Sequence, residues 1–169
     1  MEARLAGLGL EDWEERLYAM TRGIPWLAAG ADRPQCLDDV PFCREQAMAL
    51  VAFEILGSVS NGGLYNIYGN GAYWMRFDYR LEAFEAIGAY EVAALIRDVD
   101  RIVGVDLTDG SYDAVEARAR AVSKQLFPSE ELTKFFVLTP EAYYLASRYV
   151  FENRDRIERN LPTREESRG

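Results

Sequence analysis

Phe42, Met48, Leu50, Val51, Phe53, Ile55 and Leu56 fall so densely in one stretch that a helix built from it keeps almost no polar face. Such a helix has to be wrapped by other elements, so this stretch is expected to form a mostly buried central helix. Asp39 is placed to cap it and Pro41 suits its first turn. It must stop near Ser58 to Asn61, because Gly62 and Gly63 are poor helix formers and can supply left-handed backbone.

Elements able to wrap that helix follow from the spacing of apolar residues. Trp13, Leu17 and Met20 place an amphipathic helix over 11–21, ended by Gly23 and Pro25, and turn chemistry makes 28–39 a loop. After Gly63 a short helical segment carries Tyr65, Ile67 and Tyr68, and Gly69-Asn70-Gly71 turns the chain. Leu81, Phe84 and Ile87 mark a helix that Gly88 bends or ends; Val92, Leu95, Ile96, Val99 and Val103 mark another. One helix is predicted over 112–125. Ser129 restarts the chain into a shorter one through Phe135 and Phe136, and Thr139 and Pro140 read as cap and first residue of the last. The stripe of that last helix is Ala142, Leu145, Ala146, Tyr149 and Val150, with Arg148–Glu152 and Glu152–Arg156 pairs outside it. No alternating strand pattern and no repeat occurs. The expectation is an all-α, compact single-domain multi-helix bundle over 1–160, with a charged tail at 161–169; a chain of 169 residues suits one domain.

Composition removes several chemistries. There is no histidine, which excludes Ser-His-Asp and Cys-His catalysis, histidine-ligated zinc or haem, and the usual near-neutral proton shuttle. Cys36 and Cys43 are too few for a four-cysteine metal site and are expected to be reduced thiols. The segment Asp106 to Glu116 has its glycine at the fifth position and no acid at the third, which does not suit a calcium loop. No cofactor and no metal are expected. The first residues lack a basic region followed by a long apolar run, so neither a secretory signal nor a membrane anchor is predicted, and the expected location is the cytoplasm.

The formal net charge is −9, from 28 acidic against 19 basic residues. The excess lies wholly in 1–110, since 111–169 holds ten of each sign. That balance repels phosphates, argues against direct nucleic-acid binding and favours basic partners.

The run Val59-Ser60-Asn61-Gly62-Gly63-Leu64-Tyr65-Asn66-Ile67-Tyr68-Gly69-Asn70, followed by Glu82-Ala83-Phe84-Glu85-Ala86-Ile87-Gly88-Ala89, resembles a bacterial family of helical domains of unknown function. That family's pattern is an Asn-Gly-Gly turn, then aromatics and Gln, then Asn, then an Ala-rich helix ending in Ile-Gly-Ala, and it includes a neisserial DNA mimic protein. Leu64 stands where the family favours Phe, Asn66 where it favours Gln, and Ile67 where an aromatic is usual. The resemblance covers about 40–160. It implies a helical domain, often a homodimer. In the mimic branch it implies an acidic face that occupies the DNA-binding surface of a transcription regulator, so the partner would be a basic DNA-binding protein.

Residues for such a face are available. Carboxylates mimic DNA when spaced like phosphates, roughly 6 to 7 Å apart, close to the separation of helix positions i and i+4. Asp78, Glu82 and Glu85 have that spacing, Glu11, Asp12, Glu14 and Glu15 form a second cluster, and Asp98, Asp100, Asp106 and Asp109 a third. Arg76 and Arg80 interrupt the first and Arg97 and Arg101 the third, so a solvated, ion-paired helix face is the plainer reading. The turn also has two readings. Asn61, Gly62 and Gly63 end a helix for backbone reasons alone; alternatively Asn61, Asn66 and Asn70, with Tyr65 and Tyr68, form a polar patch for a ligand or partner. Glu54, isolated among apolar residues, is the one candidate acid or base, and with Asn61 it would give the alternative of a small-molecule-binding protein or hydrolytic enzyme. A thiol activated at the start of the central helix, Cys43, is a weaker candidate still. An immunity or antitoxin-like neutraliser is a further alternative, because it too would be acidic and helical.

Overall fold

The structure is a computed structural model that describes residues 43–68, 77–105 and 112–159. The helix expected over 11–21, the acids Glu11, Asp12, Glu14 and Glu15, the cap Asp39 with Pro41, the turn at Asn70 and the tail lie outside those residues. Among the described residues there are seven α-helices, one 3-10 turn and no strand: α1 (Arg44–Gly62), the turn (Leu64–Ile67), α2 (Phe77–Ala86), α3 (Tyr90–Val103), α4 (Tyr112–Ala121), α5 (Ser123–Leu126), α6 (Glu130–Glu152) and α7 (Arg154–Arg159). The protein is all-α.

α1 is the central helix. Gln46 through Phe53 are buried without interruption, as are Ile55, Leu56 and Val59, because α2, α6, α7 and the 3-10 turn close around it. Each large apolar side chain taken out of water there stabilises the fold by about 1.5 to 3 kcal/mol. The helix starts later than the Pro41 that turn chemistry predicts: Cys43 is its N-cap, and the Cys43 backbone N–H donates to Gln46 Oε1 at 2.9 Å. Gln46 is buried, and its Nε2 donates to the Ile157 carbonyl at 3.5 Å, which ties the start of α1 to α7.

α3 buries Val92, Leu95, Ile96, Val99 and Val103 against α2 and α6, as the periodicity predicts. The single helix predicted over 112–125 is instead broken at Val122, where φ −100° and ψ 7° separate α4 from α5.

The start of the last helix is also corrected. α6 runs unbroken through Thr139 and Pro140, so Thr139 is not a cap; its hydroxyl donates to the Phe135 carbonyl at 2.8 Å, one turn back. Proline inside a helix costs about 3 kcal/mol. Pro140 itself stands on the exposed side. Leu132 and Phe135 before it, and Ala142, Ala146 and Val150 after it, are buried along one stripe, and that burial outweighs the local penalty. The true cap is Ser129, whose Oγ accepts from the Leu132 N–H at 3.1 Å. Arg148 and Glu152 pair as expected, at 3.3 Å, whereas Arg156 leaves Glu152 and pairs with Glu45 of α1.

Candidate functional site

The Asn-Gly-Gly turn closes α1 with a division of labour between its glycines. Gly62 is the last helical residue, and a Cβ on it would sit 2.0 Å from Asn66 Nδ2. That space lets Asn66 fold back and donate from Nδ2 to the Ser58 carbonyl at 2.9 Å, satisfying one of the last acceptors of the helix. Gly63 has φ 78° and ψ −176°, a conformation only glycine adopts readily, and its N–H donates to the Val59 carbonyl at 2.8 Å. Of the two, Gly63 alone has the positive φ that both were expected to offer.

Of the tyrosines in that patch, Tyr68 turns inward. Tyr68 is fully buried, its hydroxyl donates to Asp100 Oδ1 at 2.6 Å, and its ring lies 4.9 Å beneath the Arg80 guanidinium. Arg80 Nη2 donates to the same Asp100 oxygen at 3.0 Å, with the arginine 1% exposed and the aspartate 13%. The 3-10 turn, α2 and α3 are thereby joined through one carboxylate. Burial pushes the Tyr68 phenol well above the ordinary tyrosine range, the Asp100 carboxylate adding to the rise, so it stays a neutral donor. Tyr65 donates to Glu116 Oε1 at 3.3 Å, where Arg120 also binds, and so reaches α4. Asn61 is exposed at the end of α1. Tyr65, Asn66 and Tyr68 of the motif thus each tie one element of the scaffold to another.

By its charge, Arg80 is expected on a solvated helix face where it interrupts an acidic row, but it is buried. It shares a stripe with Phe84 and Ile87, at i, i+4 and i+7, and that spacing was the available signal for its burial.

On α2, Glu82 pairs with Arg44 of α1 and Glu85 with Arg97 of α3. Both carboxylates stay partly open to solvent, 36% and 43% exposed. Asp98 pairs with Arg101 on its own helix, and Asp100 belongs to the buried network. The backbone of Asp78 is helical, and Asp106 and Asp109 lie outside the described residues.

Glu54 is half-buried and accepts from the Ser58 hydroxyl at 3.5 Å. Cys43 is a free thiol whose pKa is raised, chiefly by burial. That direction opposes activation, because the thiolate is the nucleophile. In a Cys36→Ser chain, iodoacetamide at pH 8 should alkylate Cys43 about threefold or more slowly than an unhindered thiol of pKa about 8.5; an equal or faster rate, followed by mass spectrometry, would count against this. Among the described residues no group of three or more Asp, Glu or Cys is placed to hold a metal ion, and no helix is long and apolar enough to cross a membrane.

Between α3 and α6 runs a groove of about 410 Å³ lined by apolar Ala94, Leu95, Val137 and Leu138 and by charged Glu91, Asp98, Glu131 and Lys134. A second, of about 230 Å³, continues it past Glu91 and Leu138 to Tyr90, Glu141 and Leu145. Neither is lined by Glu54 or Asn61. The groove was not anticipated, although Phe135-Phe136-Val137-Leu138 held the clue: four consecutive apolar residues cannot all face inward from one helix.

The family model described as DMP19-like protein matches residues 41–158, which takes in α1 through nearly all of α7. The chain belongs to the DMP19-like family. This is the family of the neisserial DNA mimic protein, as the Asn-Gly-Gly and Ile-Gly-Ala strings indicated. No curated protein and no solved structure matches the chain. In this DMP19-like chain the family strings correspond to the closing turn of α1 and to the corner between α2 and α3, both of which set helix packing.

Proposed function

We propose that the protein is a non-enzymatic, acidic interaction module of the cytoplasm that occupies the DNA-binding surface of a basic transcription regulator. The observation that carries this reading is membership of the DMP19-like family in a chain with nine more acidic than basic residues. Ion pairing at Glu82 and Glu85 is compatible with it. An exposed pair is worth only about 0.2 to 1 kcal/mol, so arginines of a partner could replace Arg44 and Arg97 at little cost. The resulting complex would form fast and be sensitive to salt.

The test is capture by the immobilised full chain from native lysate, with mass spectrometry. A captured regulator should be released by duplex DNA carrying its own binding site and by high salt. Reversing Asp78, Glu82 and Glu85 to arginine should weaken its binding by about tenfold or more. If no DNA-binding protein is captured at low salt, or if competing duplex leaves the complex intact, the reading is wrong. A toxin in its place would support the neutraliser alternative instead.

A further inference from the structure

The trough between α3 and α6 combines apolar side chains with a majority of acidic over basic ones. Val137 is 74% and Tyr90 67% exposed, so the helices offer large apolar groups to solvent at its middle and at one end. Along α6 the lining runs from Glu131 to Leu145, about 21 Å at 1.5 Å per residue, which is the length of a helix of about four turns. Glu91 and Glu131 form no ion pair among the described residues, Glu141 adds a further carboxylate, Asp98 is paired on its own helix with Arg101, and Lys134 is drawn to Glu130 at 2.8 Å.

From this we infer that the α3–α6 trough is a docking groove for a basic amphipathic helix of a partner protein. Apolar side chains of the incoming helix would lie on Ala94, Leu95, Val137 and Leu138, and flanking lysines or arginines would meet Glu91, Asp98 and Glu131. Charge complementarity selects this occupant. The segment over 11–21 carries Glu11, Asp12, Glu14 and Glu15, and a second copy would bring the same carboxylates face to face, so both set like charges against the trough. The inference rests on the reading of the protein as an interaction module, but uses a surface separate from the Glu82 and Glu85 face.

The probes are two synthetic helical peptides of about 18 residues with the same leucine stripe, one flanked by lysine and arginine and the other by glutamate. Titrated into the full chain by calorimetry, the basic peptide should bind at least about tenfold more tightly than the acidic one. Ala94→Arg with Val137→Arg, both at exposed positions, should cut that affinity by about tenfold or more while circular dichroism stays unchanged. Glu82→Arg with Glu85→Arg should change it less than about threefold. No binding, equal binding of both peptides, or binding that survives Ala94→Arg with Val137→Arg would overturn the proposal. So would a dimer in sedimentation that those groove substitutions dissociate, which would make a second copy the occupant. Tighter peptide binding after Trp13→Asp with Leu17→Asp would likewise assign the groove to the chain's own segment. Regulator capture without any docking of the basic peptide would sink the groove alone; peptide docking without any captured regulator would sink only the regulator reading.

Discussion

Arg80→Ala should lower the unfolding free energy by about 3 to 5 kcal/mol, the cost of removing one partner from a buried ion pair. Asp100, 13% exposed, would be left as a carboxylate with little water and only the Tyr68 hydroxyl as replacement donor in that network. A single domain holds a total of about 5 to 15 kcal/mol, so the variant should approach the folding threshold. In urea, with a slope of about 1 to 3 kcal/mol per molar, the midpoint should fall by roughly 2 M. Replacing the set together, Arg80→Met with Asp100→Leu and Tyr68→Phe, should recover much of the loss, because an apolar cluster has no charge to desolvate. A loss below about 1 kcal/mol for Arg80→Ala would mean that water reaches Asp100 freely.

Gly63→Ala should cost about 1 to 3 kcal/mol, for a reason that concerns the backbone and not crowding. A Cβ at this position would meet Phe127 Cδ2 at 3.5 Å, an ordinary contact, but φ 78° with ψ −176° is a region that L-residues avoid. Gly63→Asn should give no rescue, since asparagine tolerates the left-handed helical region and ψ −176° lies outside it. For a chain of this size each 1 kcal/mol moves the melting temperature by about 2 to 4 °C, so calorimetry should show a fall of several degrees. An unchanged melting temperature for both variants would show that the turn relaxes without strain.

Much of the scaffold could be read from residues 44–62 alone, because a helix without a polar face admits few alternatives to a central position. α3 was legible for a similar reason: its buried residues recur at strict helical spacing. Where the reading failed, a local rule competed with burial at a distance. Thr139-Pro140 has the chemistry of a helix start, yet Phe135 and Ala142 on either side are buried against the rest of the bundle and keep the helix continuous. The charge of Arg80 points to the surface, and its pairing with Asp100, twenty residues on, offsets the cost of burying it.

The site was less legible than the fold. Asn66 and Tyr68 have the composition of a binding patch, and nothing local shows that one turns back onto Ser58 and the other inward to Asp100. The α3–α6 trough depends on which two helices become neighbours, which the spacing within either helix does not encode. Family strings pointed to the scaffold more directly than to a recognition surface, since the residues that carry them are largely those that set the turns.

Gln46 reaching the Ile157 carbonyl, and Arg156 reaching Glu45, bring the first and last described helices side by side. A short peptide linker could therefore join residue 159 to residue 43, and new termini could be opened between the end of α3 at Val103 and the start of α4 at Tyr112. Circularly permuted in that way, the bundle would keep both the Glu82 and Glu85 face and the α3–α6 trough on one continuous body.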